Sequence, residues 1–76
     1  MVRAFFMIDT AAGTETELVR AIRNVENVVE AHVVAGEFDI ITELEAETLH
    51  ELRGILTREI RPRDGIGTTR CYVCLD

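Results

Sequence analysis

Two cysteines spaced as Cys-x-x-Cys, Cys71 and Cys74, are the residues of this sequence with the most evident capacity for chemistry. That spacing serves redox reactions or metal binding when the two thiols can meet. Here both lie in a strand-like run, and residues three apart on a strand point to opposite faces. The pattern therefore predicts two separate, buried thiols and neither a disulfide nor a metal site.

The other reactive residue types are scattered along the chain. His32 and His50 have no third ligand at a metal-binding spacing. Glu43, Glu45 and Glu47 alternate at a strand end, as solvated charges do, and the chain has no serine. We therefore expect no catalytic residue, no metal and no cofactor.

The charge balance argues against several classes of partner. Fourteen acidic residues oppose eight basic ones, and the net charge is −6. Such a surface repels phosphate backbones, so we expect no direct binding of nucleic acid. No apolar run approaches the roughly 20 residues of a membrane span, and the first residues do not resemble a signal peptide. We expect a cytoplasmic protein, whose lack of lysine fits a high-salt cytoplasm or codon bias equally well.

Strand-like runs divide the chain into four segments. They cover Val2–Ile8, a valine-rich run from Val28, Phe38–Leu44 and Ile66–Leu75. The two middle runs meet at a lone glycine, Gly36, which predicts a tight hairpin reversal.

Two amphipathic segments between these strands predict helices. Each opens with a capping-box spacing, Thr14 with Glu17 and Thr48 with Glu51. Pro62 ends the second helix. The apolar stripes are expected at Leu18, Val19, Ile22 and Val25, and at Leu49, Leu52, Ile55, Leu56 and Ile60.

This order predicts an α+β, ferredoxin-like βαββαβ sandwich, with a four-stranded antiparallel sheet, two helices on one face and the first and third strands central. The helix-facing side is expected to hold Ala4, Phe6, Ile8, Val29, Ala31, Val33, Cys71, Val73 and Leu75. The opposite face is expected to hold Phe5, Met7, His32, Val34, Ile41 and Tyr72, rimmed by Arg3, Glu30, Asp39, Glu43 and Arg70. An apolar patch with a polar rim on so small a chain predicts a homodimer through this second face.

The hairpin resembles the signature of the Lrp/AsnC regulators, in which Gly-x-Tyr/Phe-Asp follows a valine-rich strand. Here the motif is Gly36-Glu37-Phe38-Asp39. The ending from Asp64 to Val73 resembles the final Gly-Val-x-x-Thr-x-Thr strand of that family, with Thr69 on the first threonine and Cys71 in place of the second. The resemblance covers residues 1–76. It is to the C-terminal effector-binding RAM domain alone, so we expect a single, stand-alone domain without a helix-turn-helix.

The resemblance implies dimerisation through the open sheet face, further assembly into a ring of four dimers, and hetero-association with full-length regulators. It also implies that a small effector, usually an amino acid, binds between dimers. Asp39 would pair with its α-ammonium group and Thr69 would bond its carboxylate. The residues so assigned to ligand binding are Ala35, Gly36, Glu37, Phe38, Asp39, Thr68 and Thr69. Judged from the residues alone, Gly36 and Asp39 would only shape the turn.

Three functions remain open at this point. The chain is expected to be a non-enzymatic effector-binding module of transcription regulation. The alternatives are a small dimeric α+β-barrel enzyme, monooxygenase- or isomerase-like with His32 at its mouth, and a ligand-free assembly partner of full-length regulators. The ACT domain is a rival βαββαβ fold assignment, since Gly13 follows the first strand as its ligand-binding glycine would, but the Gly36–Asp39 hairpin favours the RAM domain.

Overall fold

The computed structural model describes all 76 residues and has the predicted βαββαβ order. Its elements are β1 (Val2–Thr10), α1 (Glu15–Arg23), β2 (Val28–Val33), β3 (Ile40–Ala46), α2 (Leu49–Ile55), a π-helical turn (Leu56–Ile60) and β4 (Ile66–Val73). The strands form one antiparallel sheet in the order β2-β3-β1-β4. The fold class and the central position of the first and third strands are therefore confirmed.

Alternation along the two central strands places the core between the sheet and the helices. In β1 the residues Ala4, Phe6 and Ile8 are fully buried, whereas Phe5 and Met7 between them are half-buried on the other face. Residues paired across antiparallel strands share a face. The pairs Ala4–Leu44, Phe6–Thr42 and Ile8–Ile40 therefore extend the same buried layer into β3, which confirms the phase predicted for that strand.

The two predicted capping boxes differ in the structure. The Thr48 hydroxyl accepts a hydrogen bond from the Glu51 backbone N–H at 3.1 Å, which confirms the cap of α2. The helix α1 begins at Glu15 as expected and Thr14 is its N-cap residue, but the Thr14 side chain makes no capping hydrogen bond. The Thr14 hydroxyl instead donates to the Ala11 carbonyl at 2.7 Å and closes the preceding turn, so the capping box at Thr14 and Glu17 was wrong.

The second helix ends in a π turn because of the spacing of its buried residues. Leu52, Leu56 and Ile60 are four residues apart, whereas an α-helix repeats every 3.6 residues and rotates such a stripe by about 40° at each step. The wider π turn, closed by the Arg61 N–H on the Leu56 carbonyl at 2.9 Å, keeps all three side chains in the core. Leu49, predicted at the start of this stripe, is instead 46% exposed.

The outer strands bury less than their sequences suggest. In β2 a bulge between Val28 and Glu30 shifts the register, so Val28 pairs with Leu44 and Val29 is half-exposed. The assignment of Val29 to the helix-facing core was therefore wrong. Val33 keeps its expected side but is also half-exposed at this edge.

The β4 side needs a similar correction. Cys71 and Val73 pair with Phe6 and Ala4 on the helix-facing side, as expected, yet Cys71 is exposed and Cys74 half-buried. The prediction of two buried thiols was wrong, because no helix covers this edge strand. Leu75 lies beyond the end of β4 and is fully exposed.

Both helices are short, and neither has the length and hydropathy that a membrane crossing requires.

Candidate functional site

The connection between β2 and β3, here called the hairpin loop, comprises residues 34–39. The Val34 N–H donates to the Asp39 carbonyl at 2.8 Å and closes the base of the loop. Gly36 lies near its middle without a positive φ, and a Cβ built on it would meet no atom within 4 Å. The tight reversal predicted at Gly36 was therefore wrong, since the loop is wider and has room for a Cβ at this position. What Gly36 provides is an uncovered stretch of main chain.

Asp39 joins the hairpin loop to the end of β1. Its Oδ2 accepts hydrogen bonds from the Thr10 backbone N–H at 2.8 Å and from the Thr10 hydroxyl at 3.1 Å. The Asp39 N–H donates to the Ile8 carbonyl at 2.9 Å. The other carboxylate oxygen accepts no hydrogen bond from the protein. Asp39 thus ties the start of β3 to the end of β1.

A second carboxyl group, that of Asp9, lies beside Asp39. The hydrogen-bond interaction with Asp39 raises the pKa of Asp9, and partial burial and the neighbouring negative charge act in the same direction. The Thr10 backbone N–H is the main cause of a lowered pKa at Asp39. Neither Asp9 nor Thr10 was predicted as a site residue. The antiparallel pairing of β1 with β3 was the available signal, because it places the end of β1 beside the start of β3.

The structure divides the predicted ligand-binding residues into two groups. Ala35, Gly36, Glu37 and Phe38 line a concavity, whereas Asp39, Thr68 and Thr69 do not. Thr69 pairs with Ile8 on the far side of β1 from the hairpin loop. Both threonines thus lie at the same end of the sheet as Asp39, but within one chain they do not share a cavity with the loop.

The concavity under the hairpin loop, here called the hairpin pocket, has a volume of about 340 Å³. Six of its eight lining residues are hydrophobic. One wall is the loop and the other is the open sheet face, so the residues predicted for ligand binding and those predicted for dimerisation meet here. The lining residues are Met7, Val34, Ala35, Gly36, Glu37, Phe38, Ile41 and Tyr72.

The open sheet face carries the predicted apolar side chains. Phe5 pairs with Tyr72, and Met7 pairs with Ile41, so these four share the face away from the helices. His32 pairs with Ile41 and is exposed. Phe5, Met7 and Ile41 are half-buried and Tyr72 is 57% exposed, which leaves a substantial apolar surface without a cover in the single chain.

Charged residues on this face are arranged unevenly. Glu30 and Glu43 stand opposite each other in the β2–β3 ladder, where like charges repel. Each has a basic neighbour, since Arg3 Nε lies 3.8 Å from Glu43 and His32 Nε2 lies 3.4 Å from Glu30. Arg70 pairs with Met7 on the β4 side. The face is thus acidic towards β2 and basic towards β4.

No three His, Cys, Asp or Glu side chains come together in an arrangement that could hold a metal ion.

Known proteins resemble this chain in fold and in sequence. The model of the Lrp/AsnC ligand binding domain matches residues 3–76. The crystal structure of hypothetical protein PHS023 from Pyrococcus horikoshii is 37% identical with a TM-score of 0.94, covering 100% of this chain and 92% of that one. An uncharacterized HTH-type transcriptional regulator from Pyrococcus abyssi is 30% identical over 96% of this chain and 51% of its own length. The chain thus spans about half the length of that regulator.

A more distant structure shows how far the fold extends. The transcriptional regulator NMB0573 from Neisseria meningitidis, in complex with L-Met, has a TM-score of 0.87 at 14% identity, covering 99% of this chain and 50% of that one. At that identity the likeness concerns the fold alone. The family match along nearly the whole chain is what identifies the sequence, and the protein belongs to the Lrp/AsnC family, as a ligand-binding domain of the kind found in its transcriptional regulators.

Proposed function

We propose that this chain is an effector-sensing module of transcription regulation, which binds a small amino acid and changes the association of its copies in response. The observation that carries this proposal is the double lining of the hairpin pocket. A ligand there would contact the hairpin loop and the open sheet face at once. Occupancy of the pocket would therefore alter the surface on which a second copy packs.

The open sheet face is the proposed dimer interface. Its half-buried apolar side chains and a charged rim are typical of surfaces that pair with a second copy. Two-fold symmetry brings a patch onto its own counterpart. The acidic β2 side of one copy can then meet the basic β4 side of the other, which would relieve the repulsion between Glu30 and Glu43. Further assembly into four dimers, and mixed assembly with full-length regulators, belong to the same proposal.

The hairpin loop also supports an amino-acid ligand. Gly36 leaves main chain uncovered, and the Asp39 carboxylate, which lies beside Asp9, would accept from an ammonium group. Thr68 and Thr69 carry hydroxyl groups suited to a carboxylate, but they lie beyond β1 from the loop of their own chain. We therefore place the complete site between neighbouring dimers, with the loop from one copy and the threonines from another.

The proposed action is binding without reaction, and without direct contact between this domain and DNA. The relatives that match are regulators, and the net charge of −6 disfavours a phosphate backbone. Both helices of the 76 residues pack on the sheet, so neither is free to enter a DNA groove.

One observation favours a second candidate function. The Asp39 carboxylate already stabilises the end of β1 through Thr10, which suits a structural hairpin. In that case the chain would be a ligand-free assembly partner of full-length regulators.

A thermal-shift screen against amino acids, with light scattering on the same samples, separates the two candidates. A ligand at about 100 times its dissociation constant adds ~2.7 kcal/mol to the free energy of unfolding, which a melting curve registers clearly. L-Methionine and L-leucine are the first probes, and 4-methyl-2-oxopentanoate, which lacks the ammonium group of leucine, is the matched control ligand. We expect a shift with an amino acid, none with the oxo acid, and a change in particle size.

Asp39→Asn is the decisive variant, because the amide oxygen can still accept both Thr10 hydrogen bonds while the negative charge is gone. We expect a lost amino-acid response, measured as the shift from the variant's own melting temperature without ligand. The charge-matched control is Asp76→Asn, which likewise removes one carboxylate, but at the exposed end of the chain. If no amino acid raises the melting temperature, the assembly-partner function takes its place. A full response of Asp39→Asn would instead show that the amino acid binds away from Asp39.

A further inference from the structure

A second groove lies on the helix side of the sheet, away from the hairpin pocket. It runs between β4 and the segment formed by α2 and the π turn. Its volume is about 330 Å³. Leu52 and Leu56 form a buried floor, and Leu49 and Val73 form partly exposed walls, 46% and 38% exposed. We call it the α2–β4 groove. Its lining residues are Leu49, Leu52, Arg53, Leu56, Thr57, Arg61, Cys71 and Val73.

The charge of the α2–β4 groove is opposite to that of the chain. Arg53 and Arg61 line it, and no carboxylate does, although the sequence has fourteen acidic residues. Residues 49–63 hold four of the eight arginines and only two of the acidic residues. Two cations thus lie over an apolar floor, in a segment where basic residues outnumber acidic ones.

Arg61 is held at the groove by a specific contact. Its guanidinium carbon lies 5.6 Å from the centre of the Phe6 ring, within the range of a cation–π interaction. The π turn places it there, because it ends at Ile60 and its closing hydrogen bond comes from the Arg61 N–H. A guanidinium that is already held in place loses less conformational entropy on binding a carboxylate than a mobile guanidinium would.

We propose that the α2–β4 groove binds a small apolar carboxylate, a molecule with an acyl or aryl body, one carboxylate and no ammonium group. The body would bury the exposed parts of Leu49 and Val73, and the carboxylate would accept hydrogen bonds from Arg53 and Arg61. An ammonium group would meet two cations and no acceptor carboxylate there. The volume suits a small molecule, whereas a partner helix about 10 Å wide would need a longer channel. This site is separate from the hairpin pocket and does not rest on the function proposed for it.

Cys71 provides a built-in reporter for this site, and Cys74 provides its control. Cys71 lines the groove and is exposed, whereas Cys74 does not line it. Partial burial raises the pKa of the Cys71 thiol, while the positive charge of Arg61 acts in the other direction. A carboxylate in the groove would cover the thiol and neutralise Arg61. Both effects slow the reaction of Cys71 with iodoacetamide, which is itself uncharged.

The experiment measures alkylation of each cysteine by mass spectrometry in the whole chain, with millimolar hexanoate, hexan-1-ol or hexylamine. We expect hexanoate to protect Cys71 and not Cys74, and the alcohol and the amine, which have the same apolar tail, to protect neither. Arg53→Gln and Arg61→Gln should each weaken the protection about fivefold, the effect of losing one partly exposed ion pair. Arg58→Gln is the matched control, since Arg58 lies on the same segment but lines the surface on its other side.

Three results would overturn the proposal. Equal protection by hexan-1-ol would show that the groove does not select an anion. A Cys71 already protected without ligand, and released on dilution, would assign the groove to a second copy of the chain. A reactive Cys71 that hexanoate does not protect would show that the groove takes no such ligand. Because Arg61 also contacts Phe6, the Arg53 variant and the two control ligands decide the result if Arg61→Gln fails to fold.

Discussion

The hydroxyl of Thr42 lies in the hydrophobic core without a hydrogen-bond partner. Thr42 is fully buried, and it pairs with Phe6 on one side and Ala31 on the other. A buried hydroxyl that has lost its water and gained no partner costs about 1–3 kcal/mol. The residue is thus a local weakness in the middle of the central sheet.

Replacing Thr42 by Val should therefore stabilise the domain by roughly 1 kcal/mol, because the shape is retained and the unsatisfied hydroxyl is removed. Urea unfolding measures this as a higher midpoint at an unchanged slope. Thr57→Val, the same change at an exposed helical residue, serves as the control and should have little effect. A Thr42→Val midpoint equal to or below that of the parent would mean that Oγ1 finds a partner in solution.

The neighbouring carboxyl groups of Asp9 and Asp39 make stability depend on pH in two opposite ways. The lowered pKa of Asp39 contributes stability that is present at neutral pH and is lost as the pH falls through that pKa. The raised pKa of Asp9 contributes stability only when its carboxyl is protonated, and this is lost as the pH rises through that pKa. At neutral pH the two carboxylates are both negatively charged and repel each other, which lowers the stability of the fold.

Asp9→Asn should raise the melting temperature at neutral pH, because it removes one charge and leaves the hydrogen bonds between Thr10 and Asp39 in place. The difference from the parent should shrink as the pH falls through the raised pKa of Asp9, where the parent carboxyl is also neutral. Melting curves across the acidic range test this. A difference that stays constant with pH would rule out charge repulsion as its cause.

At the scale of elements, the connections differ in what their glycines do. Gly65, in the turn before β4, has φ of +93°, and a Cβ there would come 2.8 Å from the Thr14 hydroxyl. That hydroxyl is itself bonded to the Ala11 carbonyl, and the Ala11 N–H donates to the Gly65 carbonyl at 2.9 Å. The turn thus ties the start of β4 to the start of α1.

Gly65→Ala should destabilise the domain by about 1–3 kcal/mol, through backbone strain and the contact with Thr14. Gly36→Ala is the matched control, since Gly36 has neither a positive φ nor a neighbour within 4 Å. It should be neutral or slightly stabilising, because alanine restricts the unfolded chain. The denaturant midpoint should therefore fall for Gly65→Ala and stay the same or rise slightly for Gly36→Ala. Equal losses in the two variants would contradict the description of the hairpin loop.

The elements and their order could be predicted from the sequence because they depend on local periodicity. Phe6 and Phe5 alternate between core and open face as expected, and the third strand has the expected phase. What was missed depends on contacts distant in sequence. The bulge that exposes Val29 is set by pairing with β3, and the exposure of Cys71 by where α2 lies. The Asp39–Thr10 bonds join residues 29 apart, which no local pattern contains.

At the scale of the whole molecule, the open sheet face should control association. Met7→Glu would place an unpaired charge in the proposed interface and should raise the dimer dissociation constant more than a hundredfold, equivalent to about 3 kcal/mol or more. Val29→Glu makes the same kind of change at a half-exposed edge position and is the control. Sedimentation at micromolar concentration measures both. A Met7→Glu variant that sediments like the parent would mean that the copies meet elsewhere.

The strand order has a consequence for folding during synthesis. The central strand β1 leaves the ribosome first, but one of its two neighbours, β4, is the last strand of the domain to follow. With translation at about 5–20 residues per second, β1 waits for several seconds with that edge unpaired. Over that time, Val2 to Ile8 of one nascent chain can pair with the same strand of another on a shared messenger RNA. We therefore expect the yield of folded chain to depend on chaperones, or on the spacing of ribosomes, more than its small size suggests.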